Sequence, residues 1–149
     1  MVNAALPSSV LFACTYNAIR SPMAEALLKR YHGTRIFVDS VGVRDGEIDP
    51  FVIVVMNEIG IDLSRHHSKC FEDLEDTSFD LVVSLSPEAQ HSAVEMTRTM
   101  ACDVEFWHTF DPTALEGSRD VMLSGFRTVR DWLDRRIRDR FPVIGSPAV

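Results

Sequence analysis

Apolar positions along this chain fall into two rhythms. Short unbroken runs rich in strand formers occupy residues 9–13, 35–39, 79–85 and 103–107. Between them the spacing turns helical. Met23, Ala24, Leu27, Leu28 and Tyr31 share one face of a helix predicted over 21–32, with Ser21-Pro22 as its capped start, Gly33 as its stop and Glu25, Lys29 and Arg30 facing out. Met122, Phe126, Val129, Leu133 and Ile137 mark the buried face of a long helix over 118–140, and Ser86-Pro87-Glu88 opens another that runs to about Met100. Residues 51–56 read both ways: the β-branched run suits a buried strand, while Asp49-Pro50 before it and Gly60 after it suit a helix. Residues 71–76 suggest a short acidic helix, 40–49 and 61–68 polar connections, 1–7 a frayed start and 141–149 a loose tail.

Strands alternating with helices of this length require parallel pairing and right-handed crossovers. The expected fold is therefore α/β, a three-layer doubly wound sheet of four parallel strands. In such sheets ligands bind at the carboxyl ends of the strands where the order reverses. An order of 2-1-3-4 gathers the loops after the first, second and fourth strands around one pocket, and that order is the expectation here.

Composition narrows the function classes. A chain of 149 residues, 46% apolar and 25% charged, suits one domain over 1–149, and no repeat or linker divides it. A formal charge of -7 argues against general nucleic-acid binding despite thirteen arginines against two lysines. The six arginines from Arg127 to Arg140 alternate with Asp131, Asp134 and Asp139, as a paired solvated face does. Residues 1–19 carry no charged side chain, but Asn3, Pro7, Ser8, Ser9 and Asn17 interrupt them and no basic n-region precedes, so neither a targeting segment nor a membrane span is expected. Cys14, Cys70 and Cys102 are odd in number and lack ligand spacing, which suggests neither a disulfide framework nor a metal site and fits the cytoplasm.

The chemistry concentrates in residues 10–25. Cys14 ends the first strand and Arg20 opens the first helix, so Thr15, Tyr16, Asn17, Ala18 and Ile19 form a loop whose amides converge at the positive end of a helix. That geometry favours a tetrahedral oxyanion. Arg20 adds a planar two-donor fork for two of its oxygens, and the same field stabilises a Cys14 thiolate. The spacing Cys-x5-Arg is weak by itself; the strand before it and Ser21-Pro-Met-Ala-Glu25 after it give it weight.

This segment resembles the phosphate-binding loop of the low-molecular-weight protein-tyrosine phosphatases and of the arsenate reductases that share their fold, and the likeness extends along most of the chain. The resemblance implies a phosphotyrosine phosphatase I-like fold and makes residues 51–56 a helix. It implies Cys14 as nucleophile, Arg20 as oxyanion ligand and Ser21 as the hydroxyl bonded to the thiolate. Asn17 would hold the loop's strained form, with Ser40 and His66 holding Asn17. Thiolate attack on phosphorus needs an acid for the leaving oxygen; Asp111, in an Asp-Pro pair after the fourth strand, resembles the family's general acid. His32, His91 and His108 have no identifiable partner. Tyr16 stands where phosphatase loops carry glycine, Ile19 where they carry a second cysteine, and Thr113 and Ala114 where an aromatic pair often follows Asp-Pro. The stretch 40–46 and the spacing of Asp111 look more like the arsenate-reductase branch.

The leading expectation is a metal-independent phosphatase without cofactor, acting on protein phosphotyrosine or a small aryl phosphate through a phosphocysteine. The alternative is an arsenate reductase using an external thiol such as glutathione or mycothiol with glutaredoxin, because Ser86 and Ala93 occupy the positions of the family's resolving cysteines. A catalytically idle phospho-binding module is a third possibility, weakened by the presence of both a nucleophile and an acid.

Overall fold

The run Ser9–Cys14 is buried at every position and forms the first strand, β1, at the centre of a four-stranded parallel sheet. The computed structural model describes residues 6–75 and 78–143. β2 (Phe37–Gly42) lies on one side of β1, β3 (Leu81–Ser84) on the other and β4 (Asp103–Phe106) beyond it, giving the order β2-β1-β3-β4. Cys14 lies opposite Gly42, Ala13 opposite Ser84 and Ser84 opposite Phe106, so the strand ends form one edge. The chain winds outward from β1 to β2 and then crosses back to β3, which places Cys14 at the switch in direction.

Helices cover both faces. Val10, Phe12 and Cys14 face a core filled by α1 (Arg20–His32), α2 (Pro50–Asn57) and α4 (Arg119–Arg140), while Leu11 and Ala13 face α3 (Pro87–Met96). The two-residue alternation of a strand accounts for this division. Residues 51–56 are helical as implied: Asp49 caps them, accepting from the Phe51 N–H at 2.8 Å, and Val52, Val55 and Met56 are buried against the core shared with α4.

Several boundaries differ from the sequence reading. β2 runs past Asp39 through Ser40, Val41 and Gly42, which pair with Phe12, Ala13 and Cys14; the polarity of Ser40 looked like loop but serves buried hydrogen bonds. The expected acidic helix is one 3-10 turn, Phe71–Asp73, and Asp76 lies outside the described residues. α3 ends at Met96, after which the chain tightens into three-residue turns from Thr97 to Thr99. In α4 Leu123 is buried and Met122 only half-buried, the other four stripe residues being buried. Glu25 does not face out; it turns toward Ser40. Phe141 is no tail residue, since it is fully buried against Trp107, and its carbonyl accepts a 2.7 Å hydrogen bond from His32 Nε2, the partner the sequence did not reveal. His108 stacks on Phe106. Residues 1–5 and 144–149, most of the expected frayed ends, lie outside the described residues. Among the described residues no helix is long and apolar enough to cross a membrane.

The arginine face of α4 is paired, but largely with other elements. Arg127 and Arg130 both grip Glu58 at the end of α2, Arg130 also donates to the Val55 carbonyl at 2.8 Å, and Arg140 reaches Glu105 on β4. Hydrogen bonds from Arg127 and Arg130 hold the Glu58 carboxyl down to about 2. A carboxyl lowered on folding stabilises the fold above its ordinary value of 4.5 and loses that contribution as pH falls toward 2. Urea melts from pH 5 to pH 2 should therefore show a steeper loss of stability for the wild type than for Glu58→Gln; parallel slopes would mean the pairing contributes nothing.

Candidate functional site at the switch point

Five residues join Cys14 to Arg20, and their shape depends on Asn17. Its φ of 55° lies in the left-handed region, which asparagine tolerates better than most residues. Its side chain is fully engaged. Nδ2 donates to Ser21 Oγ and Ser40 Oγ, both at 2.9 Å, and Oδ1 accepts from His66 Nε2 and the Lys69 N–H, both at 3.1 Å. Ser40 in turn donates to Glu25, which pairs with Lys29. His66 must donate to Asn17 Oδ1, and burial pushes its pKa below the ordinary histidine value, so the neutral ring is favoured.

The loop's carbonyls are tied back to the structure behind it. Those of Cys14, Thr15 and Ala18 accept from the N–H groups of Val43, Arg44 and Asp49, and that of Asn17 accepts from Ser68 Oγ. Among the described residues, no hydrogen bond takes up the N–H groups of Tyr16, Asn17, Ala18 or Ile19. A loop anchored by its carbonyls with amides in reserve has the donors that an anion would need.

Cys14 is 2% exposed, and its Sγ lies 2.9 Å from Ser21 Oγ and 3.4 Å from the Ser21 N–H. Because Ser21 Oγ already accepts from Asn17, its own proton is free for the sulfur or for the Val41 carbonyl at 3.3 Å. This corrects the expectation of Ser21 as N-cap. Ile19 holds the cap position with no side-chain bond, and Ser21, one residue inside α1, spends its hydroxyl on the thiol. Arg20 is 8% exposed, donating to the Thr109 carbonyl at 3.1 Å and to Thr15 Oγ1 at 3.5 Å. Among the described residues no carboxylate pairs with it, so a buried cation is held by neutral oxygens alone.

Cys14, Tyr16, Ala18, Ile19 and Arg20 line a cleft of about 290 Å³ together with Gly46, Glu47 and Asp49 from the loop after β2 and Asp111 and Thr113 from the loop after β4. Asp111 caps a 3-10 turn, Pro112–Ala114; its Oδ1 accepts from the Thr113 N–H at 2.9 Å and the Thr113 hydroxyl at 2.7 Å, which leaves Oδ2 for a proton. Of the residues singled out from the sequence, Thr15, Asn17, Ser21, Ser40 and His66 stand behind this lining. Glu47 and Asp49 belong to the 40–49 loop expected at this edge after the second strand, although neither was singled out. Thr109 and Lys69 were not foreseen; they act through backbone atoms, which no side-chain pattern reveals.

The model of the low molecular weight phosphotyrosine protein phosphatase family matches residues 9–141. An arsenate reductase of Bacillus subtilis is 32% identical over 130 residues, which cover 87% of this chain and 92% of that protein. Among solved structures, an arsenate reductase in its phosphate-binding state superposes with a TM-score of 0.69 at 29% identity, covering 89% of this chain and 95% of that one. A tyrosine phosphatase of Erwinia amylovora superposes with a TM-score of 0.70, covering 93% of each chain; at 22% identity the likeness is one of fold.

Gly42 is the pinch point between β2 and the loop. A Cβ there would stand 2.6 Å from the Asn17 nitrogen and the Tyr16 carbonyl carbon and 2.7 Å from the Arg44 oxygen, all backbone atoms. Gly42→Ala should therefore cost about 1–3 kcal/mol in a thermal or urea melt, the range for overpacking, and displace the loop. A melt equal to the wild type's would show that the loop yields freely.

Proposed function

The chain belongs to the low molecular weight phosphotyrosine protein phosphatase family, and on that footing we propose that it hydrolyses phosphate monoesters through a covalent adduct on Cys14. The observation that carries the reading is the meeting of Cys14, Arg20 and Asp111 in one cleft. The Cys14 thiolate attacks phosphorus while Arg20 and the loop amides hold the non-bridging oxygens. Asp111 gives the Oδ2 proton to the departing oxygen. In the second step a water attacks the phosphocysteine and yields its proton to Asp111, and sulfur leaves as the thiolate that Ser21 stabilises by hydrogen bonding.

Arsenate reduction is the second reading, and the Bacillus subtilis relative favours it. The same attack on arsenate displaces water and gives a Cys14–arsenic(V) adduct. A second thiol must then attack the Cys14 sulfur: a disulfide forms, two electrons pass to arsenic, and arsenite leaves. The placing of the other cysteines supports an external source for that thiol. Cys70 bridges to Gly42 on the side of β2 away from Cys14, and its thiol is pushed up by the hydrogen bond to Asp73. Cys102, just before β4, is pushed up by burial.

Phosphatase assays with a graded series of aryl phosphates test the first reading. Cys14→Ser should abolish turnover, and Asp111→Asn should slow a substrate with a poor leaving group by roughly 10²–10⁴-fold, the usual worth of a general acid, while scarcely affecting one whose leaving group needs no proton. Equal slowing of both would remove Asp111 from the acid's role. With arsenate and thioredoxin as the sole reductant no arsenite should form; arsenite produced only with glutathione or mycothiol plus a glutaredoxin would favour the second reading instead.

A further inference from the structure

Tyr16 is the loop residue the chemistry above leaves unused. It is 51% exposed, two positions past Cys14, and among the described residues it is the sole aromatic side chain lining the cleft. Asp111 and Thr113, which line the same cleft, are polar. A half-exposed tyrosine on a short loop would ordinarily sample several rotamers, yet this one is braced. The Arg44 guanidinium sits over its ring at 5.8 Å, and Arg44 is itself held by Glu88 on α3 at 2.7 Å. Behind it Gly46 comes so close that an added Cβ would lie 3.1 Å from Tyr16 Cβ. A guanidinium over one face narrows the rotamers of the ring, so stacking on it loses less rotamer entropy than on an unbraced tyrosine.

We propose that Tyr16 is the platform on which the aromatic leaving group of an aryl phosphate stacks, and is thus the residue that sets preference for aryl over alkyl monoesters. The inference rests on the reading of the cleft as a phosphate-monoester site. Asp111 and Tyr16 line the same cleft as Cys14, so a monoester with phosphorus at Cys14 carries its ester oxygen and the group beyond it into the space those two residues border. The first must reach that oxygen, and the second meets the group beyond it. Offset stacking of two rings adds to the apolar area they bury together. Since the ring is engaged before and during bond breaking, its loss acts on binding more than on the chemical step. Arg44 acts through Tyr16 and is a positioning residue.

Binding of phenyl phosphate and methyl phosphate to the Cys14→Ser variant, measured by calorimetry, reads the preference without turnover. Phenyl phosphate should bind roughly tenfold more tightly than methyl phosphate, the scale of one aromatic pair with its buried area. Adding Tyr16→Ala should bring the ratio close to one, Tyr16→Trp should preserve it, and Arg44→Met should lower it partway. In the Cys14-containing enzyme, Tyr16→Ala should raise KM for aryl phosphates about tenfold while changing kcat by less than threefold. A ratio unmoved by Tyr16→Ala, or near one from the start, overturns the proposal even if Cys14-dependent hydrolysis proceeds. A tenfold ratio lost with Tyr16 upholds it; arsenate reduction without any Cys14-dependent ester hydrolysis would instead overturn the monoester reading on which it rests, whatever the ratio.

Discussion

A left-handed residue between a strand and a helix costs backbone energy unless its surroundings over-determine it, and at Asn17 the surroundings come from three directions. Ser21 is on α1, Ser40 on β2, and His66 and Lys69 on the connection after α2. The loop therefore keeps its shape only when β2 lies beside β1 and the later connection folds over both. Its carbonyls are anchored by Val43, Arg44, Asp49 and Ser68, while among the described residues the N–H groups of Tyr16 to Ile19 take no hydrogen bond. The site is a tertiary product, although its residues are nearly contiguous.

Arg20 shows what the finished cradle is suited to hold. On α4 several arginines find carboxylates: Arg127 and Arg130 share Glu58, Arg138 meets Asp134, and Arg140 meets Glu105. Arg20 is as buried as Arg130 but leans on a carbonyl and a hydroxyl. A guanidinium so placed keeps its charge available, and an incoming anion replaces lost hydration with direct bonds. In a protein of net charge -7 the long-range field repels anions, so capture depends on contacts at close range.

The thiol inventory separates two chemistries that begin with the same attack. Hydrolysis needs one sulfur, an acid and water. Reduction needs a second sulfur able to reach the first, and within this chain Cys70 is separated from Cys14 by the end of β2. The half-exposed Tyr16 is relevant to the same question, because a bare inorganic oxyanion has nothing to stack on it.

Much of the design was legible in the sequence. The apolar runs and helical stripes specified an α/β sheet of four parallel strands, because strands buried on both faces read as short unbroken apolar runs while the helices between them keep a 3.6-residue stripe. The strand-loop-helix from Cys14 to Arg20 could be read as an oxyanion cradle, since strand end, spacing and helix start are all local. What stayed hidden depends on distance along the chain. Ser40 looked like loop because its polarity is spent on Asn17, 23 residues away, a pairing that the family resemblance implied but residue spacing did not; Glu25 looked solvated because Ser40 meets it across the α1–β2 pair; Phe141 looked like tail because Trp107 and His32 cover it only after the sheet forms. Thr109 carries no signal, for its contribution is a backbone carbonyl aimed at Arg20. Local spacing is written in neighbouring residues, whereas the partner of a buried polar group is chosen by which elements the fold packs together, and only the tertiary structure decides that.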